Sequence, residues 1–347
     1  MKVAVYGISK DEVANVEGWA SSAREADAVV LVDTGSSDAT VKRAKKMGVD
    51  VSKLKLDEFR FDVARNAALA AVPFDFDVCI ALDLDERLPV DWRDQLEEVY
   101  NDETTRWRYE YVWSWKDDGS PDLVYHGDKI HRRHGYAWRL PVHETLQYAG
   151  PEVETFIPGL RIEHHPDSTK ARNYLPLLEL SALEAPNDTR TTHYLAREYM
   201  FQGQNDRAVE WFKRHLLMQG AWQPERAQSA RYLWRLTQEV EWLEFATKVA
   251  PERREVWLDL ADVRYQQRDW AGLLDAAMNG LKVEHMPLEY LTESAAWGPQ
   301  LHDYAGIAAW ELGFKHEARA HGLAALELAP GDARLAANAR MYEGAVQ

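Results

Sequence analysis

A chain of 347 residues with 46% hydrophobic content is long enough to bury a sizeable core and to form two domains. Its net charge of -16 argues against a broad nucleic-acid or anionic-membrane surface, while leaving room for a local basic site that holds a phosphate. A single cysteine, Cys79, rules out a disulfide framework; with no basic-then-apolar leader before Lys2–Tyr6 and no long apolar span, a soluble cytoplasmic protein without a membrane span is expected.

Val3 to Ile8 is a short β-prone run, Lys10-Asp11-Glu12 opens a helical pattern through Trp19, and Ala28 to Val32 is a second apolar strand. That strand ends in Asp33-Thr34-Gly35-Ser36-Ser37-Asp38, a turn-rich tip before a helix from about Thr40 to Met47. Phe59 to Leu69 is again helical. Val78 to Leu82 is a continuous apolar run of strand length, which predicts a buried parallel strand, and it stops on Asp83 and Asp85. Strands and helices alternating at this spacing predict a parallel sheet with right-handed crossovers. Residues two apart on a strand share a face, so Asp83 and Asp85 are expected together at its carboxyl end, where open α/β sheets bind ligands. Two close carboxylates repel unless a cation relieves them, and oxygen donors suit Mg²⁺ or Mn²⁺. The plainer alternative is a solvated strand end.

Trp107, Tyr109, Tyr111, Trp113 and Trp115 fall at every second position, a strand with one aromatic face. Core packing is the bland reading of that face, and a sugar or acceptor platform is the other. Asp117-Asp118-Gly119-Ser120 marks the turn of a hairpin. Lys129 to Trp138 is basic and aromatic; Lys129, Arg132 and Arg133 are candidates to line a diphosphate, whereas His131 and His134 lack the further ligands a zinc site needs. Beyond about Lys170 helical periodicity takes over. Ala196, Tyr199, Gly203, Ala208 and Phe212 have the internal spacing of a tetratricopeptide repeat, a helix pair of roughly 34 residues. Gly306, Gly313, Ala318, Ala325 and Pro330 repeat it, Trp257, Ala261, Ala277 and Gly280 fit a third copy, and Ala227, Ala246 and Pro251 a shortened one. Such units cannot cover their own apolar faces, so a stacked helical solenoid with a concave surface is expected.

Val32-Asp33-Thr34-Gly35-Ser36-Ser37-Asp38, Ala64-Arg65-Asn66, Leu82-Asp83-Leu84-Asp85-Glu86 and Val142-His143-Glu144 resemble, in order and spacing, the family 2 glycosyltransferases of GT-A fold. More narrowly, the chain resembles the subgroup with a C-terminal tetratricopeptide region. It departs from the pattern at Asp11, where the family usually has Asn. The resemblance implies an α/β GT-A-like domain with a Rossmann-like, mostly parallel sheet over residues 1–170, followed by an all-α tetratricopeptide-like domain over 171–347. It also implies metal-dependent transfer of a hexosyl unit from a nucleotide sugar, UDP-sugar foremost, with inversion. The repeats would present a protein or glycan acceptor, or make a homodimer.

By the same resemblance Asp85 would bind Mn²⁺ or Mg²⁺ directly, Asp83 would reach the ribose or hold the metal through water, and His164 or His165 would complete the metal shell. Asp33 would contact the nucleoside; Asp38 would join it or, as favoured here, cap the next helix. Arg65 would lie beside the base or pyrophosphate. Glu144 would take the acceptor's proton, with Glu86 the second choice, and His143 would orient Glu144 or contact phosphate. Two readings of other classes compete. One is a tetratricopeptide scaffold whose sheet domain binds a nucleotide sugar without turnover. The other is a nucleotidyltransferase, for which Tyr6-Gly7-Ile8-Ser9-Lys10 is a poor version of the glycine-rich basic loop.

Overall fold

The computed structural model describes residues 1–166 and 173–346. The chain divides into two compact units, Met1–Ala185 and Pro186–Gln347. The expected boundary at residue 170 lies outside the described residues. No helix among the described residues is long and apolar enough to cross a membrane.

The first unit runs β1 (Val3–Ser9), α1 (Val16–Ser22), β2 (Ala28–Asp33), α2 (Thr40–Lys46), β3 (Asp50–Lys53), α3 (Phe61–Ala71), β4 (Val78–Ala81), β5 (Glu86–Arg87) and α4 (Trp92–Val99). It continues with β6 (Arg106–Val112), β7 (Val124–Arg132), β8 (Tyr136–Arg139), β9 (Thr145–Tyr148), β10 (Glu154–His164) and α5 (Leu175–Glu184). The main sheet has eight strands in the order β3-β2-β1-β4-β7-β6-β10-β5, and β8 and β9 form a separate antiparallel pair. Strands β1 to β4 pair in parallel. Strand β7 then runs antiparallel to both β4 and β6, so the sheet is mixed, where a mostly parallel one was expected. The reason is the aromatic hairpin, whose turn at Lys116–Ser120 returns the chain beside β4 without a crossover.

The central strands explain why their sequences read as unbroken apolar runs. Val3, Val5, Val78 and Ile80 point to one face, where they pack with Trp19, Trp92 and Trp107. Ala4, Tyr6, Cys79 and Ala81 point to the other, against Ala68, Leu69 and Trp138. Both faces are covered, so neither alternate set is polar.

Among its described residues the second unit contains four helical hairpins followed by a lone helix. These are α6 (Thr189–Phe201) with α7 (Asn205–Leu217), α8 (Gln223–Thr237) with α9 (Glu241–Val249), α10 (Arg254–Gln266) with α11 (Trp270–Leu281), α12 (Gln300–Glu311) with α13 (Lys315–Leu328), and α14 (Ala333–Gly344). They coincide with the four repeats read from the spacing. Each hairpin turns through one left-handed residue: Gly203, Gln238, Arg268 and Gly313, with φ of +72°, +61°, +56° and +83°. Small residues lie where helices meet; a Cβ on Gly280 would come within 2.9 Å of Leu301. Ala196, Ala208, Ala261 and Ala277 are fully buried, which closes the core with little side-chain volume.

Candidate functional site

The carboxyl end of β4 does not continue as a strand. Glu86 N–H donates to the Asp83 carbonyl at 2.9 Å, closing a tight turn over Asp83–Glu86. The Glu86 side chain reinforces it by accepting from Asp83 N–H at 2.9 Å. Asp83 and Asp85 therefore do not share one strand face: the turn aims each at a different set of partners.

Asp83 faces two cations. Arg65, carried on α3, donates from Nη2 to Asp83 Oδ1 at 2.7 Å, and its Nε binds Glu144 Oε1. Lys129, from β7, bridges Asp83 Oδ2 at 2.8 Å and Glu86 Oε1 at 2.9 Å. Burial alone would raise the Asp83 pKa, but Arg65 and Lys129 outweigh it and hold that carboxyl far below the usual range. The Arg65 guanidinium, 6% exposed, also lies over Trp138 at 5.0 Å. Its Nη1 is buried with no hydrogen-bond partner among the described residues. A buried donor left unmade is costly, and a bound ligand is one resolution.

Asp85 faces His164. Strand β10 pairs antiparallel with β5, setting His164 opposite Glu86, and His165 N–H donates to the Asp85 carbonyl at 2.7 Å. Asp85 Oδ2 then lies 3.4 Å from His164 Nε2. His164 Nδ1 lies 3.1 Å from the Trp113 carbonyl; a carbonyl only accepts, so Nδ1 carries a proton and Nε2 directs its lone pair or second proton at Asp85. Burial works against the imidazolium, but Asp85 outweighs it and the His164 pKa is raised. The His165 ring instead contacts Glu163. Trp113, 43% exposed, stacks on His164 with centroids 4.4 Å apart.

The other residues singled out in the sequence take defined places. Asp33 is 1% exposed and accepts from Ser9 Oγ and from the Gly35 and Ser36 amides, so it shapes its own loop. Asp38 accepts from Thr40 N–H at 2.8 Å at the start of α2, as a cap would, and from Val13 N–H. Asp11 adopts φ +54° and accepts from the Ser37 and Asp38 amides; this is backbone that Asp and Asn tolerate, which accounts for its departure from the usual Asn. Asn66 exchanges two hydrogen bonds with the backbone of Trp138, tying α3 to β8. His143 has φ +49° and meets the Tyr174 ring edge-on, in the loop that delivers Glu144. Glu86 is 1% exposed and bound by Tyr111, Lys129 and the Asp83 amide.

Arg132 and Arg133 do not join this group. Strand β7 runs antiparallel to β4, so Arg132 pairs with Val78 at the opposite edge of the sheet, and both arginines bind backbone carbonyls there. Trp107, Tyr109 and Tyr111 are core, whereas Trp113 lies beyond the end of β6 and is exposed. His131 is fully buried: Trp138 Nε1 donates to Tyr6 Oη, Tyr6 donates to His131 Nε2, and Nδ1 donates to the Arg132 carbonyl, a closed chain with no zinc role. Lys129 was one basic residue among several in the sequence; nothing local marks it as the bridge to Asp83, a residue 46 positions away.

A metal would meet an uneven donor set. Three carboxyl groups, Asp83, Glu86 and Glu144, are paired with two permanent cations, Arg65 and Lys129, while a fourth, Asp85, faces His164. Among the described residues no group of three or more His, Cys, Asp or Glu is clustered tightly enough to hold a metal by itself. Asp85 and His164 offer adjacent oxygen and nitrogen donors, a pair that fits a cation sharing its remaining positions with water or ligand oxygens.

No protein-family model matches the chain, and no curated protein does. Among solved structures it is similar to TTC0263, a thermophilic TPR protein of Thermus thermophilus, at 19% identity over 48% of this chain and 88% of that one, TM-score 0.30. YrrB, described as a TPR protein with an unusual peptide-binding site, aligns at 14% identity over 48% and 82%, TM-score 0.39. Glucosyl-3-phosphoglycerate synthase of Mycobacterium tuberculosis, in complex with Mn²⁺, UDP and glucosyl-3-phosphoglycerate, aligns at 19% identity over 32% and 44%, TM-score 0.27.

Proposed function

We propose that the first unit is a metal-dependent glycosyltransferase domain that moves a hexosyl unit from a nucleotide sugar, foremost a UDP-sugar, to a protein or glycan hydroxyl with inversion. The observation that carries this reading is the Asp85–His164 pair. Two donor atoms face each other at 3.4 Å with the histidine's other nitrogen already committed, beside a buried arginine that has one end unpaired among the described residues. When bound, Mn²⁺ or Mg²⁺ would neutralise the charge that grows on a departing diphosphate. Asp85 and His164 would hold it. Asp83, with both oxygens on Arg65 and Lys129, would act through water and keep those cations in place. Arg65 Nη1 would donate to a donor oxygen. Glu144, anchored by Arg65 through Oε1, would receive the acceptor hydroxyl's proton on Oε2 as the sugar carbon–oxygen bond forms and the diphosphate leaves. Asp33 and Asp38, by shaping the Asp33–Asp38 loop, would present its backbone to the nucleoside, and His143 would fix Glu144.

A thermal-shift series with UDP, GDP, CDP and dTDP, with and without Mn²⁺, tests the reading. A nucleotide at 100 times its dissociation constant adds about 2.7 kcal/mol to stability. One nucleotide should shift the wild type only with Mn²⁺, and Asp85→Ala and His164→Ala should abolish the shift. A folded protein that no nucleotide stabilises would overturn the reading; a Mn²⁺-dependent shift with no release of nucleoside diphosphate from the matching nucleotide sugar would favour the non-catalytic scaffold.

A further inference from the structure

In the fourth hairpin two histidines meet between the helices. His302, on the first turn of α12, and His321, near the middle of α13, bring their Nδ1 atoms to 3.0 Å of one another, with ring centroids 5.3 Å apart. Both rings are half-buried. For that contact to be a hydrogen bond, one Nδ1 carries a hydrogen and the other a lone pair, so a single proton joins the two helices. Burial lowers the pKa of both imidazoles; the facing His321 and Arg254 of α10 add to the effect on His302, while Glu317 opposes it at His321. Two neutral rings at neutral pH follow, and neutral imidazole is the form that binds a metal ion.

Two nitrogens coordinated at about 2.0–2.1 Å and about 95° from each other on one ion stand about 3.0 Å apart. His302 and His321 already have that separation. The rings face each other end to end across the proton and need to tip toward a common point for both lone pairs to reach a cation in its place. A third donor stands close by. Glu317 lies one turn before His321 on α13, so the two share a helix face. It is exposed, acts electrostatically on His321 and takes part in no ion pair among the described residues. As placed, its carboxylate stands outside the pair, and a change of rotamer brings it in. Imidazole nitrogens with one carboxylate suit Zn²⁺ and similar transition metals, and suit Mg²⁺ poorly because that ion takes oxygen donors. The buried histidine pair of this unit differs: His193 and His215 each direct Nδ1 at Ser229 Oγ, at 2.8 and 2.9 Å, so a hydroxyl fills the space between them.

We propose that His302 and His321 form a site for a divalent transition metal of the zinc class, with Glu317 and water completing the shell, and that the ion clamps α12 to α13. On binding, the ion takes a lone pair from each Nδ1, and the single bridging proton leaves to solvent. The site belongs to the second unit, and the inference is independent of sugar transfer and of the Asp85–His164 pair.

Calorimetric titration of the full chain with Zn²⁺ tests the proposal, in an Asp85→Ala/His164→Ala background so that the other candidate pair does not contribute. One equivalent of Zn²⁺ should bind, and Mg²⁺ at the same concentration should not displace it. His302→Gln and His321→Gln should each weaken binding at least tenfold, and Glu317→Gln should weaken it less. No binding, displacement by Mg²⁺, or unchanged affinity in either histidine variant overturns the proposal; unchanged affinity of Glu317→Gln overturns the carboxylate's share in it. Should these variants fail to fold, hydrogen exchange on the wild-type chain decides. At about 100 times the Zn²⁺ dissociation constant, amides of α12 and α13 that exchange when the two helices part should slow about 100-fold, and unchanged exchange overturns the clamp.

Discussion

Arg65 shows how one residue type can be found in a sequence while its work stays hidden. Its place beside Asn66 drew attention to it; that it ties Asp83 to Glu144, residues 18 and 79 positions away, belongs to the fold. Because it is the shared cation of two partly buried carboxylates, Arg65→Ala should cost about 3 kcal/mol, the low end for breaking a buried pair, since Asp83 keeps Lys129 and 27% exposure. Arg65→Lys should recover only part, because an ammonium cannot fork to both partners. Urea unfolding measures both; a loss below about 1 kcal/mol for Arg65→Ala would mean that the pairs are effectively solvated. His131 makes a prediction with a definite sign. Burial, with the Arg132 carbonyl opposing it only partly, lowers its pKa from 6.5 to about 3. The unfolded chain therefore takes up the proton first, so this contribution to stability is intact above the unfolded value and is lost as pH falls from about 6.5 toward 3. The wild-type urea midpoint should drop between pH 7 and 5. His131→Gln should be less stable at pH 7 by about 1–3 kcal/mol, from the broken chain to Tyr6, but should lose less on acidification. Equal slopes would show that other groups govern the acid limb.

At the scale of elements, the sequence disclosed what periodicity encodes and concealed what pairing decides. Strands β1, β2 and β4 and the helical hairpins were legible because each carries its own apolar pattern. Strand β3 was not, since Asp50, Ser52 and Lys53 are exposed and only its pairing with β2 makes it a strand. Nor was the turn at Asp83–Glu86, where three backbone and side-chain bonds override an otherwise alternating run. Glycines mark where elements meet. A Cβ on Gly7 of β1 would lie 2.7 Å from the Leu82 carbonyl and 3.2 Å from Trp19, whose Nε1 donates to that same carbonyl. Gly7→Ala should cost about 1–3 kcal/mol and push the segment that carries Asp83, weakening any nucleotide-dependent shift as well. In the hairpin turns Gly203→Ala and Gly313→Ala force a side chain into left-handed backbone and should each cost about 1 kcal/mol, whereas Gly331→Ala, in open space and without positive φ, should be nearly neutral. Thermal denaturation of the three variants would order them.

Across the whole molecule the two units close their cores by different routes, and this sets an expectation for how they fold. In the first, the central strand pairs Val3 with Val78, and β10 returns to β5 across the pairing of His164 with Glu86; most of the sheet cannot form until distant segments meet. In the second, the two helices of each hairpin pair through a turn of a few residues, and hairpins stack on their neighbours. Local contacts cost less loop-closure entropy and form sooner. After dilution from denaturant, pulse-labelled hydrogen exchange should find amides of α6 to α13 protected before those of β1, β4 and β7. Residues 288–293, in the long link between α11 and α12, should be the exception within their unit, gaining protection late, because their contacts join helices α8 and α10 only after both are in place. Sheet amides protected first would show that the apolar run at Val78–Ala81 collapses on β1 ahead of the hairpins, and that burial on both faces outweighs the separation in sequence.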